Sequence, residues 1–485
     1  MWRCQMHTTR YLMVTFMLNR NSTNRTIALS QKADIFLTRH FSGRTLDYRQ
    51  IITIIVPILV DQAFLVCMNL INTAMISSSG EAAVGAVNAI DSVNVFMVSI
   101  FIAVATGGTI VVAQYKGRSD TEMIPKAVAG SLVAVASISA VISVILLLFH
   151  NTVLHIYLGS ADAAVYDNAK VYFVGCVASY LGIAIMEAIC GAFRGIGETR
   201  SSLFLTISMN FIYVIGNIIL INGFHMGTLG MAISINVARY MAAIAALIYL
   251  VRRNESIGFT IKHLLSIRFD MMKRIFSIGI PFASEQMFFN GGKILTQNMI
   301  VGLGAAALAC NAIAASLISL YMIPAQALSL AVVTVVGQCI GNRDIAQAKK
   351  AIKSFAYLTA ASFVFLSIIL LPLFKPLVSL YHPDSKLVSE IFLILIITVV
   401  LEVFFWPGSF LVASALRAGG DSKYTSVMSM LSMWLFRVVL GYVLGICCKM
   451  GVLGFWIAMD CEWGIRSLLF LPRLHGKKWY AHKII

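Results

Sequence analysis

The chain has 485 residues, of which 59% are hydrophobic and only 12% charged, and its formal net charge is +16. Soluble domains carry roughly 45–50% apolar and about 25% charged residues, so a water-soluble globule is excluded and a lipid bilayer is the expected solvent. The basic excess does not indicate nucleic acid either, because Lys and Arg fall in short connectors between apolar runs instead of lining one amphipathic face, the distribution that sets membrane topology.

In chain order, residues 1–45 form a basic, polar extension. Its apolar stretch, Tyr11–Leu18, is too short to span a bilayer and lacks a small-residue cleavage site, so it reads as an amphipathic lead-in or as sequence ahead of a start at Met17, not as a signal peptide. Runs able to cross a core of roughly 30 Å as helices of about 20 residues are expected at 51–72, 86–113, 127–149, 171–192, 202–221 and 228–251. A polar linker, 252–274, follows. A second set is expected at 275–301, 305–336, 354–374, 387–413, 424–446 and 450–472. The domain reading is therefore an N-terminal half, 46–251, and a C-terminal half, 275–485.

With a cytoplasmic N-terminus, 29 of the 37 Lys and Arg residues fall on inside connectors, against Lys170, Lys375, Lys386 and Lys449 outside. The remaining four, Arg239, Lys293, Arg437 and Arg466, lie within spans. That asymmetry predicts a multi-pass protein of the inner (plasma) membrane with both termini in the cytoplasm. The nine cysteines show no metal-ligand spacing and read as small packing residues; no metal and no cofactor is expected.

Four blocks recur in one order at nearly one spacing. Pro57-Ile-Leu-Val-Asp61-Gln62 returns as Pro281-Phe-Ala-Ser-Glu285-Gln286, and Gln114-Tyr-Lys-Gly117-Arg-Ser-Asp120 as Gln338-Cys-Ile-Gly341-Asn-Arg-Asp344. Phe193-Arg194-Gly-Ile-Gly197 returns as Leu416-Arg417-Ala-Gly-Gly420, and Met226-Gly227-Thr-Leu-Gly230 as Met450-Gly451-Val-Leu-Gly454. An even number of spans separates each block from its copy, so the halves are parallel repeats related by an axis along the membrane normal.

On those blocks the chain resembles the multidrug and toxic compound extrusion (MATE) family, from about residue 46 to the C-terminus. The resemblance implies an all-α membrane protein of twelve transmembrane helices, arranged as a V-shaped pair of six-helix lobes. It also implies export of small cationic or amphiphilic compounds from a cavity between the lobes, driven by inward H+ or Na+. The chain departs from the family pattern where many relatives have an aspartate before a threonine in the first helix; here Asn72 precedes Thr73. Glu285 in the seventh span and Glu402 in the tenth resemble the family's acidic coupling sites.

Read on their own, ionisable residues inside a bilayer are costly, about 2.5–3.5 kcal/mol each on insertion scales, and so point to function. Glu285 and Glu402 are expected to act as a coupling pair, or else Glu285 is a structural ion pair with Lys293, eight residues on and on the same helix face. Asp61 follows Pro57, and the family's first helices bend; Pro57 and its copy Pro281 each remove a backbone donor and mark the expected bends. Asp61 is then either an ion-sensitive group at the bend or a carboxylate capping polar neighbours such as Gln62. Asp91, Glu187 and Asp460 lean to structural pairing with partners the sequence does not name, and Glu462 with Arg466, one turn apart, to an ion pair on one helix face. The Arg194 and Arg417 loops read as gate or anchor elements. Seven embedded acids against four bases favour cationic or neutral cargo over the anionic cargo of a flippase for lipid-linked saccharides, the first alternative. A membrane scaffold or receptor without transport is the second. No nucleophile elbow or phosphate loop indicates an enzyme, and the sequence admits a monomer.

Overall fold

The computed structural model describes residues 34–76, 81–159, 162–252, 255–265, 269–482 and 484–485, and the side chains at 69–70, 72–76, 81, 265 and 385–386 are outside that description. Most of the 1–45 extension and the side chain of Asn72 therefore lie outside the described residues.

Twelve long helical units follow one another, with no strand among the described residues. We label them α1 (Tyr48–Ile76), α2 (Glu81–Gly117), α3 (Met123–Leu148) and α4 (Ala163–Ala178 with Tyr180–Ile196, bent by 42° at Ser179). Next come α5 (Thr199–Asn217, continued by Ile218–Gly223), α6 (Gly227–Arg252), α7 (Phe269–Val301), α8 (Ala305–Gly341) and α9 (Ile345–Leu370). The last three are α10 (Ser385–Trp406, continued through Pro407–Leu411 to Val412–Ala418), α11 (Ser422–Ser432, continued by Met433–Leu440 and Val443–Cys447) and α12 (Gly451–His475).

Nine of the units are single helices long and apolar enough to cross a membrane, and the bent α4 makes a tenth. The other two, α7 and α12, are long enough at 33 and 25 residues, but they carry Glu285 and Lys293, and Asp460, Glu462 and Arg466. These two helices thus supply Glu285, Asp460, Glu462 and Arg466 to the buried charge of the C-terminal half.

The duplication read from the sequence is repeated in the backbone. Positive φ occurs at corresponding positions of the two halves: Ser119 (59°) and Arg343 (56°), Gly197 (91°) and Gly420 (99°), His225 (54°) and Lys449 (56°), Gly227 (53°) and Gly451 (62°). Packing follows the same rule. In the first half α1 packs on α5 and α2 on α3 and α4; in the second, α7 packs on α11 and α8 on α9 and α10. The halves meet through α2 against α7 and through the corresponding pair, α8 against α1.

Glycine sets how closely they meet. A methyl at Gly107 of α2 would stand 2.7 Å from the Ile275 carbonyl oxygen of α7, so the backbones touch without side chains between them, as membrane helices do at small residues. At the connectors the contact is tighter and reciprocal: a Cβ at Gly117 would lie 1.9 Å from the Gln338 oxygen, and one at Gly341 2.0 Å from the Gln114 oxygen. The two glutamines also donate across the seam, Gln114 Nε2 to the Ala418 oxygen and Gln338 Nε2 to the Gly195 oxygen, both at 2.9 Å.

Pro57 and Pro281 lie inside α1 and α7, and a further break of 42°, at Ser179 of α4, falls where the sequence reading had no bend. The fourth span also begins at Ala163, eight residues before expected, and both α4 and α10 run on through the arginines assigned to loops, to Ile196 and Ala418. Side chains near the C-terminal end of a helix lean back towards its N-terminus, so Arg194 and Arg417 turn into the bundle instead of out of it.

Candidate functional site

The break in α4 organises a chamber inside the first half. Ser179 stands at the break, and its hydroxyl accepts from Arg239 Nη1 of α6 at 2.8 Å while donating to the Cys176 oxygen. Arg239 also donates to Asn94 Oδ1 of α2 at 3.3 and 3.4 Å. Asp91, one turn before Asn94, accepts from the Tyr172 hydroxyl of α4 at 2.9 Å. Asp91, Asn94, Tyr172 and Arg239 line a cavity of about 390 Å³ with Asn88, Asn210 and Tyr213, and Ser179 holds Arg239 from behind. Asp91 and Arg239 face this one space without forming an ion pair with each other, so an acid and a base are both presented to an occupant.

Nearer the seam, Asp61 of α1 is buried, with Oδ1 lacking a hydrogen-bond partner among the described residues. The charges it senses are Arg194 and Glu187 of α4, which pair with each other at 3.2 Å. Glu187 thus has its partner two turns along the same helix.

The second half holds a denser network. Arg417 Nη1 lies 2.8 Å from Glu285 Oε2, which also accepts from the Ser426 hydroxyl at 3.0 Å. Arg466 Nη2 approaches Glu285 Oε1 at 3.5 Å and donates to the Ser429 hydroxyl at 2.8 Å, and its Nη1 reaches Glu462 at 3.2 Å. Arg437 Nε closes the chain on Glu462 Oε2 at 2.7 Å, off the line of a formed hydrogen bond. Aromatic faces cover the cations: Arg417 lies 4.0 Å above Phe282, Arg466 4.6 Å above Phe410, and Lys293 Nζ 4.8 Å above Phe289. Cation–π contact offsets part of the lost hydration.

Beside that network, with Arg437 in electrostatic reach of Asp460, sits a second acidic site. Glu402 of α10 is 0% exposed, and neither of its carboxyl oxygens has a hydrogen-bond partner among the described residues. The nearby charge is Asp460 of α12, whose Oδ2 accepts from Thr398 at 3.2 Å and whose Oδ1 is likewise bare. The buried Tyr321 hydroxyl of α8, in the electrostatic reach of Glu402, has no partner among the described residues either. Two ionised carboxyls so placed would repel and leave acceptors unmet, at a cost of about 1–3 kcal/mol per unsatisfied group and more for charged ones. A proton or a cation bound there removes that conflict.

The expected residues are therefore regrouped. Glu285 belongs to arginines, and Glu402 to Asp460. Lys293 is not the partner of Glu285: it stacks on Phe289 and shares its surroundings with Arg437 and Glu462. The ion pair of Glu462 with Arg466 forms as expected. Arg194 and Arg417 turn into the bundle as ion-pair partners, and Asp421, which the sequence reading did not count, is buried as well and pairs with Arg473 at 2.6 Å. The sequence carried a signal for Arg194 and Arg417, their place in the last turn of an apolar helix. It carried none for Ser179 or Asn94. Among the described residues no group of three or more His, Cys, Asp and Glu gathers to hold a metal.

Comparison with known proteins agrees with this architecture. The MatE family model matches residues 57–219 and again 281–443, the two halves in turn. The chain is 26% identical over 436 residues to "Uncharacterized transporter YisQ" of Bacillus subtilis (strain 168), covering 87% of this chain and 93% of that protein. It is 24% identical over 441 residues to "Probable multidrug resistance protein NorM" of Thermotoga maritima, covering 90% and 94%. Among solved structures, "Outward-facing conformation of a multidrug resistance MATE family transporter of the MOP superfamily" superposes with a TM-score of 0.81 at 15% identity, over 88% of this chain and 94% of that one.

Proposed function

This chain belongs to the MatE family, and on that premise we propose that it exports small amphiphilic compounds in exchange for inward-moving H+ or Na+. The halves 46–251 and 275–485, joined by the linker 252–274, are the units that rock, with both termini in the cytoplasm as the basic connectors favour. Cargo sits in the α2–α4–α5–α6 chamber, a cationic group against Asp91 and an anionic or polar group against Arg239.

One observation carries the coupling: the buried Glu402–Asp460 site, with three bare carboxyl oxygens. A site that is unsatisfied when empty and satisfied by a proton or Na+ has two occupancies, and access to one side of the membrane at a time turns those occupancies into transport. Asp61 supplies a second exchangeable carboxyl in the first half. Glu285 contributes through arginine pairing, which changes if α7 and α10 shift.

The test uses everted vesicles carrying either a proton or a sodium gradient and a panel of cationic and zwitterionic dyes. Dye uptake that collapses one gradient in the wild type, and is lost in Glu402→Gln with the protein still folded, supports the reading. Equal gradient-driven uptake in Glu402→Gln and Asp460→Asn refutes this coupling site. Translocation of a lipid-linked saccharide with no dye-linked gradient collapse would move the function to the flippase alternative, which the buried arginines of the second half favour.

A further inference from the structure

The duplication leaves two corresponding recesses on the face that carries the C-terminus, and they are filled differently. In the second half the chain's own end fills the recess. Trp479 is 0% exposed, and a methyl at Gly419 would meet its ring at 2.6 Å. Ile484 and His482 close over Gly420, where a Cβ would come within 2.8 and 3.0 Å of them. The corresponding glycine of the first half, Gly197, has no such tail upon it among the described residues; a Cβ there would meet Ile54 and Gln338 at 3.5 and 3.7 Å. A cavity of about 610 Å³ opens in its place.

The lining of that cavity is one-signed. Arg44, Arg49 and Lys116 contribute three cations, Ser119, Asn342 and Gln338 add polar groups, and no Asp or Glu lines it. Arg49 reaches Asp34 at 3.7 Å, but both side chains are largely exposed, and so distant a surface contact leaves the cation available. The lining comes from both halves, since Gln338 and Asn342 belong to the end of α8. Beside the recess, helix 34–41 turns Ile35 and Phe36 outward, 67% and 60% exposed. Apolar side chains beside clustered Arg and Lys are the pattern of a segment lying in the headgroup layer.

We propose that this recess seats the phosphate headgroup of an anionic phospholipid, held by Arg44, Arg49 and Lys116 at the seam between the halves. Guanidinium groups fork onto phosphate oxygens, the volume exceeds a single phosphate, and the acyl chains leave along helix 34–41. The occupant offsets the repulsion among three cations at the point where Gln338 ties α8 to the Gly195 carbonyl. The seat is independent of what the protein exports.

The experiment compares the full chain in phosphatidylcholine vesicles with and without phosphatidylglycerol, reading the thermal midpoint and the lipid retained in native mass spectrometry. The expected result is a midpoint raised by phosphatidylglycerol and one retained molecule in the wild type. In Arg44→Gln/Arg49→Gln/Lys116→Gln retention weakens about a hundredfold, the combined effect of three cations near an anionic surface. A control with the same charge change at exposed positions outside the recess, Lys262→Gln/Lys273→Gln/Lys423→Gln, keeps the response. An unchanged midpoint in phosphatidylcholine alone shows that the recess variant still folds. The proposal is overturned if the recess variant responds like the wild type, if the control loses the response equally, or if inorganic phosphate added to phosphatidylcholine vesicles reproduces it.

Discussion

At the scale of single residues, the second half is governed by the asymmetry between a paired and an unpaired buried charge. Removing one partner of a buried ion pair strands the other, at about 3–5 kcal/mol, whereas replacing both with apolar or neutral groups of like size is close to neutral. Arg417→Ala is therefore expected to lower the thermal midpoint sharply, because Glu285 at 4% exposure loses its 2.8 Å partner. The double variant Glu285→Gln/Arg417→Met should recover most of the loss; an unimproved double variant would show that the pair is not the source. Glu285, Glu402 and Asp61 stand out in the sequence because an acid in an apolar run is rare. Their partners do not, since Arg417 lies 132 residues from Glu285 and only packing of α7 on α11, which follows the end of α10, brings them together.

Among the elements, the break in α4 has the clearest consequence. A helix interrupted at Ser179 presents a hydroxyl to Arg239, and that bond holds the base at the chamber wall beside Asp91. Ser179→Ala takes away an acceptor for a buried guanidinium, a cost of about 1–3 kcal/mol, and should weaken dye binding measured by fluorescence anisotropy more than it weakens the fold. Equal binding in variant and wild type would remove Arg239 from the cargo site. The tail is the second case. Trp479→Ala empties the recess over Gly419 and is expected to cost about 3–5 kcal/mol, as for other buried tryptophans, read as a fall in the thermal midpoint. The helical periods and the connectors of these elements are legible in the residue pattern. The α4 break is not, because Ala178-Ser179-Tyr180 contains neither proline nor glycine and the bend is set by what packs around it.

The whole molecule turns on the reciprocal crossing of the two connectors. Gly117 and Gly341 lie so close to the opposite glutamine carbonyls that a methyl group cannot be placed at either without separating the halves. Gly117→Ala/Gly341→Ala is thus expected to shift the population towards states open on this face. Spin-label distances between the end of α2 and the end of α8 would lengthen, and thiol labelling near Gly195 would accelerate. Unaltered distances would mean that the seam yields locally and does not latch the two halves.

By itself the sequence determined the solvent, the helical class, the duplication and the family, because each is written in quantities that add along a chain: apolar length, the placement of Lys and Arg, and blocks repeated at one spacing. Only the tertiary structure decided which charges meet. A carboxylate in an apolar run announces its cost locally, but what meets that cost comes from another helix: Arg417 for Glu285, Asp460 for Glu402, Arg239 opposite Asp91. The choice among those partners depends on crossing points of helices far apart in sequence, fixed by glycines whose meaning appears only once a second backbone lies against them.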